Sequence, residues 1–111
     1  MPRITNNELV NRIIAATDED RIDWQPTAKP REFSASFGGK WTLVISQGGV
    51  DNRGQLVSTL NVRDSEGERI VGIDSEEDER IHGLHEMARR HALKIDDALA
   101  DLLKEIDKPK N

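Results

Sequence analysis

The longest continuous alternation of apolar and polar positions runs from Ser75 to Asp107. At about 100° per residue, Ile81, Leu84, Ala88, His91, Ala92, Ile95, Ala98, Leu99, Leu102, Leu103 and Ile106 share one stripe roughly 140° wide. Arg89, Arg90, Lys94, Asp96, Asp97, Asp101 and Lys104 lie outside it. As one helix the segment would be about 50 Å long, against a diameter of roughly 34 Å for a compact domain of this length. Either one end projects onto a partner or the helix breaks, and Gly83 is the only interior residue that invites a break. The pattern therefore predicts a short turn over 76–82, capped by Ser75, leading into a helix from Leu84 to Ile106. Leu93 points almost opposite the stripe, amid charges, which marks it as a candidate partner contact. The acids Glu76, Glu77 and Glu79 at the start of this segment form a second candidate contact.

Upstream, Thr5 and Glu8 have capping-box spacing, with Ile4 and Leu9 placed for a hydrophobic staple, so a helix is predicted over Asn6–Ala16. Residues 17–31 carry no period and contain Pro26 and Pro30; they read as an irregular connection, part of which can pair as an edge strand. Strict alternation follows. Phe33, Ala35 and Phe37 share one face and Trp41, Leu43 and Ile45 another. A three-residue loop, Gly38-Gly39-Lys40, pairs Phe37 with Trp41, Ala35 with Leu43 and Phe33 with Ile45, and so puts all six on one side. Gly48–Gly54 reads as a flexible connection into a third strand, Gln55–Arg63, with Leu56, Ser58, Leu60 and Val62 inward. Asp64-Ser65-Glu66-Gly67 is a turn, and Arg69–Ile73 a fourth strand. The expected fold is a single α+β domain over 1–111, ordered α-β-β-β-β-α. Its four-stranded antiparallel meander carries a short N-terminal and a long C-terminal helix on one face, with a flexible tail at 108–111.

Composition narrows the chemistry. The absence of cysteine removes disulfides, thiolate catalysis and cysteine-ligated zinc. The net charge is −5, and residues 75–107 alone hold ten acids and five bases, so the acidity belongs to the helical end. The opening stretch MPRITNNELV has no apolar run of signal-peptide length, and no apolar run is long enough to span a bilayer. A cytoplasmic soluble protein without a membrane partner is expected. His82 and His85 are three apart but lack the H-E-x-x-H arrangement, and His91 lies on another side of the helix. They are expected as solvated residues near the break and as a core-edge histidine, respectively. The acids Asp18, Glu19, Asp20 and Asp23 lack the spacing of a calcium loop. Neither a G-x-S-x-G nucleophile nor a glycine-rich strand-to-helix phosphate cradle occurs. No catalytic, cofactor-binding or metal-ligating residue is assigned, and no cofactor is expected.

These features favour a non-enzymatic interaction module, self-associating as a homodimer or binding another protein through the C-terminal helix, with Leu93, Glu76, Glu77 and Glu79 as candidate contacts. The alternative is single-stranded nucleic acid bound on the sheet by Lys40, Arg53, Arg63 and Arg69, with Phe33, Phe37 and Trp41 as stacking platforms. The acidic balance counts against it, and the alternation assigns those three rings to the core. Thr17 with Ile22-x-Trp24, then Phe33-x-Ala35, Asp64-x-x-Gly67 and the Ala88-Arg89-Arg90-x-Ala92…Asp96…Ala98-Leu99…Leu102-Leu103 run together resemble small uncharacterised bacterial α+β domains. That resemblance spans nearly the whole chain and implies a bacterial α+β domain with no assigned activity and no functional residues to carry over.

Overall fold

The computed structural model describes residues 3–110; Asn111 of the expected tail lies outside them. The chain is α+β. Helix α1 (Asn6–Asp18) is followed by strands β1 (Gln25–Pro26), β2 (Glu32–Phe37), β3 (Trp41–Val50), β4 (Leu56–Arg63) and β5 (Arg69–Asp74), then by helices α2 (Arg80–Ala92) and α3 (Ile95–Ile106). The strands form one antiparallel sheet in the order β1-β2-β3-β4-β5. The sheet thus has five strands where the pattern predicts four. The fifth is Gln25–Pro26, which pairs with Ser34 and Phe33 at the edge, where the missing proline N–H costs little.

Thr5 caps α1 through its hydroxyl, which accepts the Glu8 N–H at 3.1 Å. The β2–β3 register is the one the three-residue loop requires, with Phe37 opposite Trp41, Ala35 opposite Leu43 and Phe33 opposite Ile45. Gly38 and Gly39 supply the positive φ that closes the loop. Strand β3 continues to Val50 through a register shift after Gln47, so Gly48 and Gly49 belong to a strand and not to a connection.

That register organises the inner face into rows. Phe33, Ile45, Leu60 and Ile73 form one row across four strands, and all four are buried. Ala35, Leu43, Val62 and Val71 form the next, buried at β2 and β3 and only half-buried at β4 and β5. Phe37 and Trp41 form the last, 39% and 43% exposed. Alternation assigned these two rings to the buried face correctly, but the helical cover stops short of them.

Helix α2 provides that cover and lies against β4, β3, β2 and β1. Ile81, Leu84, His85 and Ala88 are its buried residues. Helix α1 packs on α2 and buries Val10, Ile13 and Thr17. Trp24, fully buried, fills the space near the end of α1. Its indole N–H donates to Thr17 Oγ1 at 3.1 Å, and Thr17 donates in turn to the Ile13 carbonyl at 2.8 Å. The N-termini of α1 and α2 are joined by Arg80, whose guanidinium donates to Asn7 Oδ1 at 2.8 Å, to Asn11 Oδ1 and to Asp78.

The C-terminal segment departs from expectation at both ends. Ser75 does not cap α2; its hydroxyl accepts the Ser58 N–H at 3.1 Å, while Asp74 and Asp78 accept the local amides. Gly83 does not break the helix either, because Ile81 and Leu84 beside it are both fully buried and hold the backbone through it. The break falls at Leu93–Lys94, where Lys94 adopts φ 52°, ψ 44°. Arg89, Arg90 and His91 end α2, and Asp96 and Asp97 begin α3. Each set complements the dipole of its own helix; in one continuous helix both would sit mid-rod and gain nothing. Arg90 also pairs with Asp96 across the bend. These contacts offset the left-handed backbone of a non-glycine residue, which costs about 1–2 kcal/mol.

Two stability predictions follow from this packing. Trp24→Ala should cost about 3–5 kcal/mol in urea denaturation, whereas Trp41→Ala, at the uncovered end, should cost under about 2 kcal/mol; equal losses would contradict the gradient of cover. The hydrogen bond from Arg80 holds the Asp78 carboxyl below the ordinary carboxylate range. A lowered folded pKa stabilises above the unfolded value of about 3.9 and is lost as pH falls through the folded one. Asp78→Asn should therefore flatten the fall in stability between about pH 4 and pH 2, measured by denaturation at each pH; an unchanged slope would remove Asp78 from the acid response.

Candidate interaction surface

The residues singled out as contacts are not brought together. Leu93 ends α2 beside Arg31, Phe33, Gln47, His82, His85, Glu86 and Arg89, in a cleft of about 320 Å³. It belongs to the face of α2 that carries His82, Glu86 and Arg89, and it is 49% exposed. Its odd phase holds within α2 itself, away from the buried Ile81, Leu84, His85 and Ala88. Glu76, Glu77 and Glu79 sit at the opposite end of α2, about 20 Å away along its axis. There they line an open cleft of about 540 Å³ with Asp51, Asn52, Arg53 and His82. The backbone N–H groups of Gln55 and Arg53 hold the Asp51 carboxyl below the ordinary range, so this side chain organises the β3–β4 loop.

The basic residues divide as well. Arg53 faces the acids just described. Lys40 lies in the β2–β3 loop, while Arg63 and Arg69 are paired across β4 and β5 at the same end of the sheet. Arg63 donates to the Gly67 carbonyl at 2.8 Å and so closes its own turn.

The histidines have three different roles; His82 is exposed, as the pattern predicts, and His85 is not. His85 is buried, not solvated: Nε2 is 3.0 Å from the Arg31 carbonyl, and its ring packs on Phe33 with centroids 5.6 Å apart. His82 Nδ1 lies 2.9 Å from Ser58 Oγ. Gln47 Nε2 donates to the same hydroxyl at 3.4 Å. A serine–histidine contact of this kind carries catalysis only where the hydroxyl can meet a substrate; Ser58 has no exposed surface, and the contact anchors α2 to β4. His91 lies between Asp20 and Asp23, at 3.5 and 3.6 Å, where α1 and α2 end. Among the described residues no three His, Cys, Asp or Glu side chains converge as a metal site, and no helix is long and apolar enough to cross a membrane.

The surface that emerges instead is α3. None of its residues is buried, and among the described residues α2 is the element it packs against. Ile95, Ala98, Leu99, Leu102, Leu103 and Ile106 share one face at about 100° per residue. Leu102, Leu103 and Ile106 are 52%, 57% and 64% exposed, and Leu99 scarcely less. The molecule is correspondingly elongated, 65 × 38 × 26 Å, with a radius of gyration of 16.5 Å against about 13 Å for a compact chain of this length. The expected long helix both breaks, at Leu93–Lys94, and projects at its C-terminal end. The apolar periodicity of α3 was legible in sequence; its lack of anything to pack on was not.

Helix α3 has 12 residues, and no side chain caps its N-terminus. Isolated helices of this length are marginal in water, and proteins sustain them by burying an apolar face. Amide hydrogen exchange in dilute solution should therefore find α3 exchanging at least about a hundredfold faster than the buried face of α2; equal protection would show that α3 is held by contacts within the chain.

No protein-family model, curated protein or solved structure compared with this chain matches it.

Proposed function

We propose that this chain is a non-enzymatic protein-interaction module whose binding element is α3. The observation that carries the reading is an amphipathic helix with no buried residue, held off the core by a left-handed residue at its base. Covering the half-exposed Leu99, Leu102, Leu103 and Ile106 is worth roughly 1 kcal/mol each, enough for a weak specific contact and for consolidating the helix. The acids at 76–79 and the cleft beside Leu93 lie outside this face and are left as the flanks of α2.

Because α3 contributes nothing to the core, a variant can separate binding from folding. Leu99→Asp with Leu103→Asp should leave the unfolding transition of the sheet core within a few degrees of wild type. The same variant should abolish association, with itself in sedimentation or with a protein retained from extract on the immobilised chain. A double variant that associates as wild type does would sink the reading.

A second reading is favoured by one observation. Phe37 and Trp41 are exposed as a pair beside Lys40, with Arg63 and Arg69 at the same end of the sheet. Stacking of one or two bases on this pair is the form in which nucleic-acid binding would occur, with Arg53 excluded from it. Titration with labelled single-stranded oligonucleotides at low salt tests it. Binding should weaken with salt and with Trp41→Ala, and no binding, or binding indifferent to both, ends that reading.

A further inference from the structure

We infer that the occupant of the α3 face is α3 of a second copy of this chain, laid antiparallel to form a two-fold dimer. The inference rests on the reading of α3 as the binding element and names its partner. The stripe is its own mirror in sequence. Ile95 and Ile106, Ala98 and Leu103, and Leu99 and Leu102 are equidistant from the Ala100–Asp101 peptide bond. A two-fold axis at that bond maps the apolar face onto itself, so Ile95 meets Ile106 of the second copy, Leu99 meets Leu102, and the small Ala98 receives the larger Leu103.

Charge selects the same orientation. The first half of α3, up to Ala100, carries Asp96 and Asp97, a net of −2. From Asp101 to Lys110 the chain carries Lys104, Lys108 and Lys110 against Asp101, Glu105 and Asp107, a net of zero. An antiparallel pair sets each −2 half beside a neutral half and opposes the two helix dipoles. A parallel pair would set the two acidic halves side by side. It would also crowd both bodies, each joined to α3 at Lys94, at the same end. The size of the face sets the strength. It exposes on the order of 400 Å² per copy, about half of a standard protein interface, so the dimer is weak and concentration-dependent, with a dissociation constant of about 10–100 μM.

The native chain contains no cysteine, so introduced thiols report the geometry without background. In the antiparallel pair, residues 95 and 106 of opposite copies are adjacent, while the two copies of residue 95 are about 16 Å apart, beyond the reach of a disulfide. Ile95→Cys and Ile106→Cys proteins, mixed and oxidised at several hundred micromolar, should yield the mixed disulfide at least about tenfold faster than either homodisulfide. In sedimentation equilibrium the wild type should shift from monomer to dimer across the stated range. Leu102→Asp, and Leu102→Gln where aspartate unwinds the helix, should weaken dimerisation at least about tenfold. Preferential homodisulfides, a dimer indifferent to both Leu102 variants, or a monomer up to about 1 mM would each overturn the inference. In the last case, α3-dependent retention of another protein on the immobilised chain would leave the interaction reading standing, and its absence would remove both.

Discussion

A sheet with one apolar face has to be covered, and in this chain α2 alone reaches from β4 to β1 to cover it. The rest of the molecule follows from how α2 is held. Ser58 and His82 fix one turn of α2 to β4, the Arg31 carbonyl fixes His85 over β2, and Arg80 joins the start of α2 to α1. These are polar anchors on an apolar layer. Inside a protein such bonds are individually modest, but each positions a helix that would otherwise be free to slide on a smooth hydrophobic surface. Helix α1 and Trp24 then complete the layer from behind, with the indole N–H satisfied by Thr17 at no cost in buried polarity.

The same geometry limits what α2 can cover. It lies over the rows containing Ser58 and Phe33–Ile73, and the cover thins toward the β2–β3 loop, where Phe37 and Trp41 are exposed. Helix α2 ends at Ala92, and Lys94 turns α3 outward. The left-handed backbone there uncouples two helices whose charges are each arranged for a separate dipole, so the bend follows from local electrostatics as much as from tertiary packing.

Much of the body could be read from residue order, because its determinants are local or periodic. Only one loop length aligns Phe33, Ala35 and Phe37 with Trp41, Leu43 and Ile45, and Thr5 with Glu8 announces α1. The misses have a common cause. Periodicity reports which face a residue occupies, not how far along that face a cover extends, so Phe37 and Trp41 were assigned to a core that does not reach them. Likewise His85 finds its acceptor 54 residues away, a pairing no local pattern encodes. The bend at Lys94 did leave a trace, in the basic end Arg89-Arg90-His91 followed by Asp96-Asp97, but the helix's length and glycine's backbone freedom pointed to Gly83. The candidate contacts at Leu93 and at Glu76, Glu77 and Glu79 lie at opposite ends of α2 and line different clefts.

An exposed apolar stripe of this size is not by itself unusual, since single patches of several hundred square ångströms occur on many monomers. What distinguishes α3 is how little else holds it: its contact with α2, the Arg90–Asp96 pair and the acids of its first turn. A helix of 12 residues without a capping side chain or a buried contact gains too little from its backbone bonds to offset nucleation. On the proposed reading, order in α3 and occupancy of its face are one equilibrium, because a partner that covered the stripe would stabilise the helix that presents it. Such coupling would make association weaker than the apolar area alone would give, because ordering the helix is charged against it, and the same cost would make the contact readily reversible.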